Sequence, residues 1–158
     1  MEAETFKPPN SLAKARNGNG PVTMDQNVLK RAEHAVEALR EEYSGWAQKD
    51  VDALRLAVDA ARADPDNAAT PIADIYKHAL DMKGQGGGFG YAIITDIGEL
   101  LTKFMVRKTR LSPRDFRIVD AHVDAIQVVV RDKIKGDGGP VGIKIVDGLR
   151  RIVLAAED

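Results

Sequence analysis

The sequence contains no cysteine and few aromatic residues. The absence of cysteine among 158 residues excludes disulfides, thiolate metal sites and cysteine nucleophiles, and makes the reducing cytoplasm the expected compartment. Aromatic residues account for only 5% of the chain, so the core must be built mainly from aliphatic side chains. A chain of this length can bury such a core as one domain without cross-links.

The sequence also lacks an excess of charge of one sign and a long apolar run. Lys and Arg number 23 against 24 Asp and Glu, so no overall field attracts nucleic acid or an anionic membrane. No apolar run approaches the roughly 18 residues that span a bilayer, and the N-terminus has no apolar segment of the signal-peptide type. We therefore expect a soluble protein whose recognition is local, with no nucleic-acid or membrane partner.

The chain divides by composition into a short tail and a folded domain. Residues 1–22 are rich in proline, glycine and asparagine and poor in large apolar side chains, so they are predicted to be a flexible tail. Residues 23–158 show apolar residues at the three-four spacing of helices. The one run typical of a strand, Val128 to Val130, lies inside a helical pattern. We predict an all-α fold, a four-helix bundle with accessory N- and C-terminal helices.

Capping residues and helix breakers predict where the helices begin and end. A first helix from about Asp25 is expected to weaken at Ser44 and Gly45, and Asp50 is expected to cap a second helix that stops before Pro65. A third helix is predicted to begin with Thr70 as N-cap before Pro71, and a fourth to run from about Tyr91 to Lys108. A fifth should begin with Ser112 as N-cap before Pro113 and run through Ile134, and the last should begin at Pro140.

The most informative segment lies between Ala79 and Tyr91 and reads ALDMKGQGGGFGY. This segment resembles the core motif of histidine-containing phosphotransfer domains. The family pattern is alanine, histidine, two residues, lysine and glycine, followed by small residues and an apolar-Gly-aromatic step. Lys83 and Gly84 match the lysine-glycine pair, and Phe89 opens the final step. Leu80 stands where the family has the histidine that accepts phosphate.

The resemblance implies a phosphorelay module that docks the receiver domain of a response regulator, or a histidine kinase. In the family, the histidine attacks a phospho-aspartate of the receiver, and the receiver supplies the metal. Leucine has no nitrogen lone pair that could take a phosphoryl group. The implied function is that of a pseudo-phosphotransfer protein, a binding module and not an enzyme, with no cofactor or metal of its own. Its implied docking residues are Tyr76, Leu80, Lys83, Gly84 and Gly87.

Helical geometry predicts how this segment is presented. The stripe Ile72, Ile75, Ala79 and Met82 sets the buried direction of the helix, and at about 100° per residue Leu80 points roughly 120° away from it. Leu80 should therefore face solvent, with Tyr76 and Lys83 at the margin of the same side. An ammonium group one turn after position 80 would offset phosphate charge, and Gly84 would let a partner's backbone approach.

Two alternatives to a pseudo-phosphotransfer protein remain open. His78 lies roughly 160° around the helix from Leu80, so it could carry phosphate only after a distortion of the helix at the glycines. Its ordinary interpretation is a helix-boundary histidine beside Asp74 and Asp81. The other alternative is a structural bundle that self-associates through exposed aliphatic residues such as Leu80. For the docking module itself, a monomer or weak homodimer is the expected state.

Other chemistry-bearing residues predict no further site. The glycine run lacks the Lys-Ser or Lys-Thr continuation and the preceding strand of a nucleotide loop, so it is interpreted as a place where two helices pack closely. His34 and His122 lie beside apolar stripes and are predicted to be packing or surface residues. The basic run Lys103, Arg107, Lys108 and Arg110 fits a solvated helix end, while Asp120, Asp124 and Asp132 have the spacing of one exposed face, not of a metal cage.

Overall fold

The computed structural model describes residues 25–157, and over this range it is all-α, as predicted. The predicted tail, residues 1–22, lies outside the described residues. From Ala35 onward the chain forms one compact unit, and everything discussed below lies in it except His34 and the first turns of α1. The five helices are α1 (Gln26–Ala63), α2 (Ala69–Gly86), α3 (Ala92–Met105), α4 (Pro113–Arg131) and α5 (Gly139–Glu157), with single 3₁₀ turns at Pro65–Asn67 and Gly87–Phe89.

Helices α1 to α4 form a four-helix bundle in which successive helices run antiparallel. Helix α3 packs against α2, α4 and α5, and α5 is an accessory C-terminal helix that also packs on α4. Helix α4 lies beside α1 and runs antiparallel to it. Residues at increasing positions in α1 contact residues at decreasing positions in α4. These contacts join Gln48 to Gln127, Arg55 to Asp124 and Arg62 to Asp120.

The core is mainly aliphatic, as the low aromatic content predicts. The predicted α2 stripe is confirmed, since Ile72, Ile75, Ala79 and Met82 are all buried. Each other helix contributes its own apolar face, including Val51, Leu54 and Val58 of α1, Ile94, Ile97 and Leu101 of α3, and Val119, Val123 and Ile126 of α4. None of the helices within residues 25–157 is both long and apolar enough to cross a membrane.

The predicted break in the first helix is wrong, because α1 continues through Ser44, Gly45 and Asp50. A glycine inside a helix costs about 1 kcal/mol relative to alanine, and burial of residues on both sides outweighs this cost. Tyr43 and Ala47, which flank Gly45, are buried. The expected accessory N-terminal helix and second helix are therefore one helix that ends at Ala63, directly before the predicted stop at Asp64 and Pro65.

The start of α2 also differs from prediction, whereas the start of α4 is confirmed. Thr70 lies inside α2, whose N-cap is Ala68. Asp64 instead caps the 3₁₀ turn, where its carboxylate accepts a hydrogen bond from the backbone N–H of Asn67 at 3.3 Å. Ser112 caps α4 through a reciprocal capping box with Asp115. The other boundaries fall within a few residues of prediction, with α3 ending at Met105 and α4 at Arg131.

Candidate functional site

Four of the residues predicted for docking lie on one side of α2, and the fifth, Gly87, opens the 3₁₀ turn that follows it. We call Tyr76, Leu80, Lys83, Gly84 and Gly87 the α2 face. Leu80 is 45% exposed although it sits between the buried residues Ala79 and Met82. Tyr76 and Lys83 are half-buried at the margin. The exposure of Leu80 and the marginal positions of Tyr76 and Lys83, predicted from helical periodicity, are thus confirmed.

The two glycines of the α2 face leave open space. A Cβ atom added at Gly84 would have no heavy atom within 4 Å, and one at Gly87 would meet only the Thr95 hydroxyl at 3.5 Å. Both glycines are exposed. A partner's backbone could therefore approach α2 beside Leu80 without meeting a side chain from either position.

Thr95 of α3 fixes the end of α2. Its hydroxyl donates a hydrogen bond to the backbone carbonyl of Lys83 at 3.0 Å and accepts one from the backbone N–H of Gly87 at 2.9 Å. These bonds satisfy backbone groups that the helix end would otherwise leave without an intrahelical partner. They hold the last turn of the α2 face in one position.

Close contact between α2 and α3 explains part of the glycine content. A Cβ at Gly98 of α3 would lie 2.9 Å from the backbone nitrogen of Lys83 and 3.0 Å from the carbonyl oxygen of Ala79. A Cβ at Gly86 would lie 2.8 Å from the carbonyl oxygen of Tyr91. Close packing, predicted for the whole glycine run, is therefore confirmed at Gly86, whereas a Cβ at Gly88 would meet nothing within 4 Å among the described residues. Gly98 was not among the predicted packing residues, although an isolated glycine in an apolar helix can indicate close approach of a neighbouring backbone.

Aromatic residues anchor the glycine-rich segment to α1. The Phe89 ring stacks on Tyr43 with centroids 4.6 Å apart, and Trp46 meets Phe89 edge-on at 5.9 Å. Tyr91 lies against Tyr43 at 5.4 Å. Gly90 between them has a φ of 87°, which favours glycine. The Phe89-Gly90-Tyr91 step of the motif therefore ties the α2–α3 connection to the bundle.

Positive charge borders the α2 face on the α3 side. Glu99 of α3 forms an ion pair with Lys103, with Nζ and Oε1 2.7 Å apart. The hydrogen bond and charge of Lys103, together with the charge of Lys83, hold the pKa of Glu99 below its usual range. Lys103 is thus paired directly with Glu99, and the charge of Lys83 also acts on that carboxylate. The rest of the basic run is not uniformly solvated, because Lys108 pairs with Asp115 at 3.1 Å.

His78 lies on another side of α2 from Leu80. It is half-buried and close enough to Asp50 of α1 for its charge to act on that carboxyl group. Burial raises the pKa of Asp50, His78 opposes this shift, and Asp81 adds to it. Helix α2 continues without interruption through His78 to Gly86. The distortion that would carry His78 toward the α2 face is absent from this described helix.

The other two histidines differ sharply in environment. His34 is exposed, whereas His122 is fully buried in α4. The His122 Nδ1 atom pairs with the carbonyl oxygen of Ile118 at 2.7 Å, and its Nε2 has no hydrogen-bond partner among the described residues. Burial lowers the pKa of His122, and the bond to Ile118 offsets this only in part. His122 is thus the packing residue that was predicted.

Within residues 25–157, no group of three or more His, Cys, Asp or Glu side chains is arranged to hold a metal ion. No protein-family model, curated protein or solved structure matches this chain. The function of the α2 face is therefore inferred from its own residues and from the motif resemblance.

Proposed function

We propose that this protein is a phosphorelay docking module of the phosphotransfer type that binds a receiver domain, or a histidine kinase, without accepting phosphate. The observation that carries the proposal is the exposure of Leu80 on a continuous helix, at the position where the resembled motif has its histidine. The proposal includes a cytoplasmic location, where such partners act.

The chemistry of the α2 face suits an acidic partner with an apolar contact. Leu80 has Lys77 three residues before it and Lys83 three residues after it, so both ammonium groups neighbour it on the helix surface. An apolar centre with a charged rim is the usual anatomy of a protein interface. As the resemblance implies, a receiver carries a phospho-aspartate, an anionic group that the two lysines would complement.

The rigidity and openness of the α2 face favour docking as well. Thr95 holds the C-terminal turn of α2, and Gly98 lets α3 lie directly behind it. The face therefore loses little conformational entropy when a partner binds. Gly84 and Gly87 leave room for a partner loop beside Leu80.

Phosphate transfer through His78 has less support than docking. His78 is half-buried and close enough to Asp50 for its charge to act on that carboxyl group, whereas an acceptor nitrogen must meet the incoming phosphate in line. Self-association through Leu80 remains an outcome of the test, because an exposed leucine can contact a second copy as well as a receiver.

The proposal is tested by incubating the full chain with each receiver domain of its host, in phosphorylated form, and with each of the host's histidine kinases. Complex formation is followed by calorimetry, and phosphohistidine by mass spectrometry at neutral pH. We expect a complex with at least one receiver and no phosphate on the chain. Stoichiometric phosphate on His78 would establish the carrier instead, and homodimers without any receiver or kinase complex would establish the structural bundle.

A further inference from the structure

A second candidate site lies in a cavity of about 530 Å³ between the end of α1 and the start of α4. None of its lining residues belongs to the α2 face. The volume falls within the range of about 300–1,000 Å³ typical of small-molecule sites. The lining residues are Arg62, Pro65, Leu111, Pro113, Phe116, Arg117 and Asp120.

The interior of this cavity is apolar and built from stiff residues. Pro65 and Pro113 have fixed backbone φ angles, and the Ser112 capping box holds the first turn of α4 next to them. An adjoining chamber of about 100 Å³ shares Pro65, Leu111 and Phe116 and extends inward to the buried residues Ala61 and Ala68. A ligand's apolar body would find preformed surface here.

Within the part of the chain that the structure describes, some charged residues in and beside the cavity have an ion-pair partner, and others do not. The Arg62 guanidinium donates to both carboxylate oxygens of Asp120, at 2.8 and 2.7 Å, and lies 5.0 Å from the centre of the Phe116 ring. Arg117 on the wall of the cavity and Arg110 beside the inner chamber have no carboxylate within 4.0 Å among residues 25–157. Because Arg62 and Asp120 offset each other, the net positive charge of the cavity lining comes from the guanidinium group of Arg117.

We infer that this cavity binds a small carboxylate with an apolar body, either aromatic or medium-chain aliphatic. The apolar part would lie against Leu111, Pro113 and Phe116, and Arg117 would pair with the carboxylate, an anion whose geometry matches the guanidinium fork. The mostly apolar lining disfavours strongly hydrated anions such as inorganic phosphate.

The test is an NMR titration of the full ¹⁵N-labelled chain with 2-naphthoate and with octanoate. Each anion is matched by its neutral amide, 2-naphthamide or octanamide, and inorganic phosphate serves as the hydrated anion. We expect saturable shifts at the backbone amides of Leu111, Phe116 and Arg117 for at least one carboxylate. Its amide should bind about tenfold more weakly, since charge-assisted hydrogen bonds are about twice as strong as neutral ones, and phosphate should not shift these amides.

Two variants distinguish carboxylate binding in the cavity from binding to surface charge elsewhere. Arg117→Gln should weaken carboxylate binding to about the level of the amide, while Arg151→Gln, an exposed arginine of α5 outside the cavity, should leave it unchanged. Arg117 is exposed, so this substitution should not unfold the chain. The inference is overturned if neither carboxylate gives saturable shifts at these amides, if carboxylate and amide bind equally, or if both variants behave as the wild type.

Discussion

At the residue scale, Leu80 sets what the α2 face can do chemically. It keeps the exposed position that an acceptor histidine needs and lacks the nitrogen that would take the phosphoryl group. Lys83 and Gly84 retain their motif positions after it. If the α2 face evolved around phosphate transfer, restoring one side chain should restore the chemistry.

We predict that Leu80→His confers phosphate acceptance from a phosphorylated receiver that the wild type binds. The imidazole would face solvent at position 80, and Lys83 one turn later would offset phosphate charge. Acid-labile phosphate in the variant, measured by mass spectrometry at neutral pH, checks this. Leu56→His, which places a histidine at an exposed leucine of α1, is the control and should gain no phosphate. A folded Leu80→His variant that binds receivers but stays unphosphorylated would show that the motif resemblance does not extend to the reaction.

His122 makes stability depend on pH. Its pKa in the folded state lies below the usual value because the ring is buried. The hydrogen bond to the Ile118 carbonyl raises the pKa, but by less than burial lowers it. The unfolded chain therefore binds a proton that the folded chain does not, so stability is lost as pH falls below the unfolded value near 6.5. The free energy of unfolding should fall with decreasing pH by at most about 1.4 kcal/mol per pH unit from this one group.

Urea unfolding between about pH 7 and pH 5.5 measures this loss, a window chosen to lie above the titration of most carboxyl groups. His122→Leu should remove most of the slope, because leucine fills similar space and does not titrate. His34→Leu, at an exposed position, should leave the slope as it is. Equal slopes in the wild type and His122→Leu would contradict the assignment.

At the element scale, most helices follow from apolar spacing and from caps that act within a few residues. The Ser112 capping box is such a local device, and it is predicted correctly. The continuity of α1 through Gly45 was not predictable in this way, because it depends on burial of Tyr43 and Ala47 against residues far along the chain. Tertiary packing outweighs a local propensity of about 1 kcal/mol there.

The α2–α3 contact predicts opposite effects of alanine at two helix glycines. Gly98→Ala would place a Cβ 2.9 Å from the Lys83 backbone nitrogen, so the helices must separate, with an expected loss of about 1–3 kcal/mol. Gly45→Ala meets open space and should gain about 0.5–1 kcal/mol from helix propensity. Chemical denaturation of both variants tests this pair. A Gly98→Ala protein as stable as the wild type would mean that α3 does not pack this closely.

At the scale of the whole molecule, the compact unit that begins at Ala35 carries the α2 face and the α1–α4 cavity as separate surfaces. The exposure of Leu80 and the marginal positions of Tyr76 and Lys83 were predictable because all three lie in one helix, where periodicity decides exposure. The cavity was not, since Arg62, Leu111 and Phe116 meet only through the packing of α1 beside α4. Periodicity shows which side of a helix is buried and leaves the fit between helices undetermined.

The central claim, docking through the α2 face without phosphate transfer, is tested most directly by calorimetric titration of one cognate receiver with three proteins: the wild type, Leu80→Glu and Leu56→Glu. Leu56 is a matched control, a 71% exposed leucine on α1. Loss of a hot-spot side chain at an interface centre costs about 2 kcal/mol or more, which is roughly 30-fold in affinity. We expect that loss for Leu80→Glu alone, with unchanged melting temperature in both variants. Equal receiver affinity for all three proteins would contradict the account.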